Sequence, residues 1–228
     1  MADITEQDVN FVVPAGTLDG HLALPPGSGP APAVIVVQEW WGVNEHIKSI
    51  TRRLASLGFV ALAPDLYHGK TTRDPGEAGQ LAQALDTHQA VAEIGGAADF
   101  LRKHERSNGK VGVIGFCLGG ALTLAAGCHL EGLGALVPFY GIPPADKVDY
   151  ARLTAPVLGH YARRDTYVSP DKVSALVAEL GRQGKSARIE TYDADHAFVN
   201  DTRSDVYSAE AASVAWARTV EFLRAHLG

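Results

Sequence analysis

The segment Lys110-Val-Gly-Val-Ile-Gly-Phe-Cys117-Leu-Gly-Gly-Ala constrains this chain more than any other. An apolar, β-branched run leads into Gly115-Phe-Cys117-Leu-Gly119, and an Ala/Leu-rich stretch follows. The pattern reads as a strand, a sharp turn and a helix, with a cysteine at the apex of the turn. Side chains two residues to either side of that cysteine would collide with neighbouring backbone, which accounts for the two glycines. A helix beginning just after the turn aims its free N–H groups and its positive end at the sulfur. Such a placement favours negative charge, on a thiolate or on an oxyanion formed beside it.

Similar strand and helix signals recur along the chain. Residues 10–24 alternate loosely around Gly16 and Gly20 and predict a β-hairpin. Residues 33–37 form a continuous apolar run, as expected of a strand covered on both faces. Residues 44–57 predict a helix that Asn44 caps, with Ile47, Ile50 and Leu54 on one face and Gly58 ending it. Further strands are predicted at 59–63, 110–116, 134–140, 156–161 and 187–192. Further helices are predicted at 118–128, 171–180 and 205–226. Residues 76–106 read as mostly helical, with Gly95-Gly96 as a possible break. Strands and helices alternate over nearly the whole length. That predicts an α/β fold, a mostly parallel sheet with helices on both faces and an N-terminal hairpin, in one domain spanning 1–228. In such sheets reactive groups gather beyond the carboxyl ends of the strands.

Composition narrows the partners. With 20 basic and 26 acidic residues the net charge is -6, and no basic stripe is present, so neither nucleic acid nor an anionic membrane is an expected partner. Cys117 and Cys128 are the two cysteines. They cannot make a disulfide framework, and their spacing fits no common zinc pattern, so no metal and no cofactor are expected. The first residues are acidic and carry no apolar signal region, which points to the cytoplasm. The absence of a heptad seam agrees with a monomer.

Three loops, each just past a predicted strand, carry chemistry. One holds Cys117, the second runs from Tyr161 through Asp165 to Pro170, and the third holds His196 in Tyr192-Asp-Ala-Asp-His196-Ala-Phe198. The chain order nucleophile, acid, histidine is that of the α/β-hydrolases, with sulfur where serine is usual. His196 would take the thiol proton and return it to a leaving group. Asp165 would hold the imidazole in one tautomer and stabilise its cation. Asp165 could instead cap the following helix, although Ser169 is better placed. Asp193 and Asp195 compete as the acid, but both lie very close to His196 in sequence. A fourth loop, Val37-Gln-Glu39-Trp40-Trp41-Gly42, follows an early strand. It would supply an oxyanion-hole N–H from Trp40, with Leu118 giving the second. Glu39 sits at the mouth of that presumed site.

Taken together, these motifs resemble the dienelactone hydrolases, or carboxymethylenebutenolidases. The likeness runs through Gln38-Glu39-Trp40-Trp41-Gly42-Val43-Asn44, Ala63-Pro64-Asp65-Leu66-Tyr67, Gly115-Phe-Cys117-Leu-Gly-Gly120, Phe139-Tyr140-Gly141, Asp165 with Val168 and Pro170, and His196-Ala-Phe198. The resemblance implies an α/β-hydrolase fold with no large cap domain and a triad of Cys117, Asp165 and His196. It further implies that the resting thiol interacts with Glu39, which helps generate the thiolate once substrate binds. The implied substrate is a small ester or lactone, opened through an acyl-thioester. In the family, arginines hold the substrate's free carboxylate. Here the position matching one of them is Asn200, with Arg203 further on, and Arg73 or Lys70 are the candidates to replace the other. Tyr140, Tyr67, Trp40, Trp41 and Phe198 are candidates to line an aromatic pocket. Three other readings compete: thioester or peptide cleavage at the same site, a non-catalytic binder, and a redox sensor built on Cys117.

Overall fold

The computed structural model describes residues 3–228; Met1 and Ala2, which open the acidic N-terminal segment, lie outside the described residues. Eight strands form one sheet in the order β1-β2-β4-β3-β5-β6-β7-β8. The strands are β1 (Thr5–Val13), β2 (Gly16–Leu24), β3 (Ala31–Val37), β4 (Val60–Pro64), β5 (Ser107–Phe116), β6 (Ala135–Phe139), β7 (Val157–Ala162) and β8 (Ala187–Tyr192). β1 and β2 make the expected hairpin, paired antiparallel from Thr5↔Leu24 to Val13↔Gly16. It begins five residues earlier than the alternation suggested, because β1 is exposed along most of its length and so has little apolar periodicity. β2 joins the hairpin to the sheet by an antiparallel pairing with β4. From β4 onward every pairing is parallel.

The side-chain alternation of the central strands divides the core in two. On one face Val34, Val36, Ile114, Phe116, Val137 and Phe139 meet α1 (Glu45–Ser56) and α6 (Ala209–Leu227) through Ile47, Ile50, Leu54, Trp216 and Leu223. On the other, Ala33, Ile35, Val37, Val113 and Leu136 meet α3 (Thr87–Lys103), α4 (Leu118–His129) and α5 (Pro170–Arg182). Both faces are covered, which is why these strands read as continuous apolar runs. Asn44 caps α1 as predicted, its side chain accepting from the Ile47 N–H.

The helical stretch 76–106 breaks elsewhere than predicted. It divides into α2 (Pro75–Ala84) and α3, and Asp86 starts the second helix by accepting from the N–H groups of His88 and Gln89. Gly95 and Gly96 lie inside α3. A Cβ on Gly96 would stand 2.7 Å from a Val13 methyl and 2.9 Å from the Val12 carbonyl. The glycine is there for close packing against the hairpin, not for a bend. The closing helix starts at Ala209, four residues later than expected, where Ser208 caps it.

One topological fact positions the site. The chain leaves β3 toward β4 on one side, then returns through α3 to β5 on the other side of β3. The loops after β3 and β5 therefore diverge and leave a crevice between them at the carboxyl ends.

Candidate active site

Cys117 stands in that crevice. Its backbone has φ 54 and ψ -113, a conformation that costs a non-glycine residue about 1–3 kcal/mol. Hydrogen bonds on both sides hold it there. Its N–H donates to the Phe139 carbonyl (3.0 Å), and its own carbonyl accepts from Ala121 (3.1 Å). The flanking glycines are obligatory. A Cβ at Gly115 would lie 2.1 Å from the Gly119 carbonyl oxygen, and one at Gly119 would lie 2.4 Å from the Val37 oxygen. The Cys117 side chain makes no capping bond to α4, which leaves its sulfur facing the crevice chemistry.

His196, in the loop after β8, brings Nε2 to 3.1 Å from Cys117 Sγ. Its Nδ1 lies 2.7 Å from Asp165 Oδ2. Asp165, in the loop after β7, is buried, and its other oxygen accepts from the Tyr167 (2.8 Å) and Val168 (2.9 Å) N–H groups. The carboxylate thus has one oxygen fixed by backbone and one free for the imidazole. Burial by itself pushes the His196 pKa down. The hydrogen bonds to Asp165 and Cys117, with their charges, outweigh it and carry the pKa up to about 10. The competing acids are engaged elsewhere: Asp193 and Asp195 both pair with Arg164 on the surface. Ser169 occupies the cap position of α5, as read, but makes no side-chain cap bond.

Glu39 is buried, and its carboxylate is satisfied without the thiol. The Tyr140 hydroxyl donates to Oε1 (3.2 Å) and the Asn200 amide to Oε2 (2.7 Å). Asn200 is fixed in turn, its carbonyl accepting from the Thr202 N–H and hydroxyl. This differs from the resting arrangement implied by the resemblance: among the described residues the thiol pairs with His196, and Glu39 with Tyr140 and Asn200. Asn200, read as a lost substrate clamp, is a buried tether on Glu39. Tyr140 has φ 38 and is wholly buried. Burial first, then the nearby Glu39 charge, hold its pKa well above the usual phenol value.

Trp40 follows β3 and Leu118 follows β5, the two strands whose loops flank the crevice. Leu118 is the first residue of α4, so its N–H has no carbonyl one turn earlier in the helix to bond. Gly119 packs on the Val37 and Gln38 carbonyls, which brings the Trp40 loop against the elbow. A cavity of about 110 Å³ covers the sulfur, lined by Glu39, Trp40, Trp41, Cys117, Tyr167, His196, Ala197 and Arg203.

The other predicted pocket residues disperse. Arg73 lines an adjoining cavity of about 440 Å³ with His46 and Asn200, while Trp41 and Arg203 stand in the walls of both cavities. Tyr67 faces a separate cavity of about 210 Å³ beside His68, Lys70 and Glu93. Phe198 is wholly buried against Phe139, Tyr140 and Tyr192, and belongs to the core. Tyr167 was not singled out in the sequence, yet its ring lies 4.9 Å from the His196 ring. Its place two residues after Asp165 was the available signal. No group of three or more His, Cys, Asp or Glu side chains suited to holding a metal occurs among the described residues. None of the described helices is long and apolar enough to cross a membrane.

The family model for the dienelactone hydrolase family matches residues 18–227. This chain belongs to the dienelactone hydrolase family. It is similar to protein usf of Aquifex pyrophilus, with 36% identity over 97% of this chain and 99% of that one. A protein of Aquifex aeolicus provisionally named carboxymethylenebutenolidase is 31% identical over 97% and 99% of the two chains. Among solved structures, a dienelactone hydrolase-like promiscuous phosphotriesterase from metagenomic libraries superposes with a TM-score of 0.89 at 27% identity, covering 99% of each chain. As a dienelactone hydrolase family member with the α/β-hydrolase fold, the protein is a carboxylic ester hydrolase.

Proposed function

We propose that this dienelactone hydrolase family member cleaves small esters or lactones through a Cys117–His196–Asp165 triad and an acyl-thioester, as a single catalytic domain. The relay of 3.1 Å from Sγ to Nε2 and 2.7 Å from Nδ1 to Asp165 carries this reading. His196 takes the thiol proton, and the thiolate attacks the carbonyl carbon. The Trp40 and Leu118 N–H groups then stabilise the oxyanion. As the intermediate collapses, the carbonyl–oxygen bond to the leaving group breaks and His196 returns the proton to that oxygen. Water, deprotonated by the same imidazole, attacks the thioester and releases the acid and the thiol. Asp165 keeps Nδ1–H pointed at itself throughout and stabilises the imidazolium. Glu39 shares the cavity wall with the thiol; its bonds to Tyr140 and Asn200 favour a positioning role over direct proton removal in the resting enzyme.

The test is hydrolysis of p-nitrophenyl acetate by wild type, Cys117→Ala and Cys117→Ser, with mass spectrometry of quenched reactions. The expected result is loss of turnover in the alanine variant, little activity in the serine variant, and one acyl adduct on the wild-type peptide containing Cys117. Undiminished turnover by Cys117→Ala refutes the mechanism.

A second reading concerns the substrate. Asn200 is committed to Glu39, which favours uncharged esters over the carboxylate-bearing dienelactone. Arg203, in the wall of the catalytic cavity, is the cation that would argue the other way. Comparing kcat/KM for cis- and trans-dienelactone with that for neutral esters decides between them.

A further inference from the structure

The cavity over Cys117, at about 110 Å³, holds little more than the reacting group; pockets that bury a whole small ligand are usually about 300–1,000 Å³. A groove of about 710 Å³ adjoins that cavity through one shared lining residue. Tyr167 lines both. It is 63% exposed, and as the residue common to both linings it marks the lip between them. Its backbone is fixed: its N–H donates to Asp165, and its carbonyl accepts from Lys172 Nζ. Beyond the lip the groove walls are mainly apolar, with Ile142, Pro143, Val148, Val168 and Leu176 among them, while charged residues such as Glu179 and Arg182 stand in its lining as well. The Tyr150 hydroxyl, in the same groove, is buried without a partner.

We propose that this groove binds the alcohol arm of the ester substrate, and that the arm is an elongated, mainly hydrocarbon chain. The inference rests on the triad reading above, and the side assignment follows from proton transfer. The imidazole that attacks the thiol proton must later protonate the leaving oxygen, so the alcohol lies on the His196 side of the scissile bond. Tyr167 lies on that side, 4.9 Å from the imidazole ring. In acylation the carbonyl carbon gains a bond to Cys117 Sγ and loses its bond to the alcohol oxygen, which takes the proton from His196. The alcohol then departs along the groove, leaving only the acyl group in the small cavity when water enters.

The experiment compares methyl, butyl and octyl acetate by pH-stat for wild type and Ala175→Trp, together with p-nitrophenyl acetate and p-nitrophenyl octanoate. Ala175 lies on α5, exposed, and lines the groove, so a tryptophan there fills it without entering the core. The expected wild-type result is a rise in kcat/KM of at least about tenfold from methyl to octyl acetate, since each buried methylene favours binding several-fold. Ala175→Trp should bring the octyl-to-methyl ratio to within about twofold of one. A flat alcohol series, or a chain preference that appears only on the acyl side, overturns the proposal. Calorimetric titration of 1-octanol separates it from failure of the triad reading. Binding that Ala175→Trp abolishes supports the groove even if no ester turns over, and absence of binding overturns it. Conversion of a wild-type dimer to a monomer by Ala175→Trp in sedimentation would make the groove an interface between copies, and would equally overturn it.

Discussion

Acid should destabilise this protein through His160, by an amount the structure allows to be worked out. His160 on β7 is completely buried, and its ring stacks on Phe139 with centroids 4.4 Å apart. Its nitrogens bond the Tyr192 hydroxyl (2.8 Å) at the end of β8 and the Thr219 hydroxyl (3.0 Å) on α6. Both hydroxyls could accept from a protonated ring, so hydrogen bonding does not keep it neutral. Burial does, assisted by the positive charges of Arg218 and Arg188, and lowers the pKa to about 3. An unfolded histidine titrates near 6.5. The unfolded chain therefore binds a proton first, and the stability contributed by the neutral ring is complete above about pH 6.5 and is lost as pH falls toward about 3. From pH 7.5 to pH 5 the loss is about 2 kcal/mol, and by pH 4 about 3 kcal/mol. The assay is urea unfolding followed by tryptophan fluorescence at pH 7.5, 6 and 5, on wild type and His160→Gln. The variant should be less stable at pH 7.5 by about 1–2 kcal/mol for imperfect hydrogen bonds, and the gap should close by about 2 kcal/mol at pH 5. A gap that stays constant over that range refutes the argument. The consequence reaches the site, because β7 and β8 carry the loops of Asp165 and His196.

Other substitutions follow from single contacts. Gly119→Ala places a methyl 2.4–2.5 Å from the Val37 and Gln38 carbonyls; it should cost at least about 1–3 kcal/mol in urea unfolding and lower kcat more than KM rises, by pushing the Trp40 loop off the elbow. Asn200→Ala removes the 2.7 Å donor to buried Glu39, with an expected stability loss of about 1–3 kcal/mol in the same assay. Thiol labelling at pH 8 should modify Cys117 in the native protein and Cys128 only after unfolding, since burial pushes the Cys128 thiol up to about 11; counting labelled peptides by mass spectrometry checks it. Arg164→Ala breaks exposed ion pairs to Asp193 and Asp195; solvent screens such pairs, so the urea midpoint should barely move and esterase activity should be retained.

The sequence by itself determined the strand–elbow–helix around Cys117, because glycines at 115 and 119 are the only residues that leave room for the neighbouring carbonyls, and a local steric demand is written locally. It determined the parallel strands β3, β4 and β6 for a similar reason: a strand covered on both faces reads as a continuous apolar run. It also determined the order of Cys117, Asp165 and His196, each in a loop after a predicted strand. The break in the helical stretch 76–106 was not legible, since Gly96 answers to Val12 and Val13, more than eighty residues away in the chain. Nor were the partners of Glu39. That carboxylate is bound by Tyr140 and Asn200, which lie 101 and 161 residues from it, and no local pattern encodes contacts of that span. The aromatic residues show the same division. Composition cannot separate Phe198, which faces the core, from Tyr167, which forms the lip of the cavity, because that depends on which way each loop turns after its strand. Only tertiary structure decided it, through the reversal of strand order at β3 that opens the crevice and the packing of the loops around it.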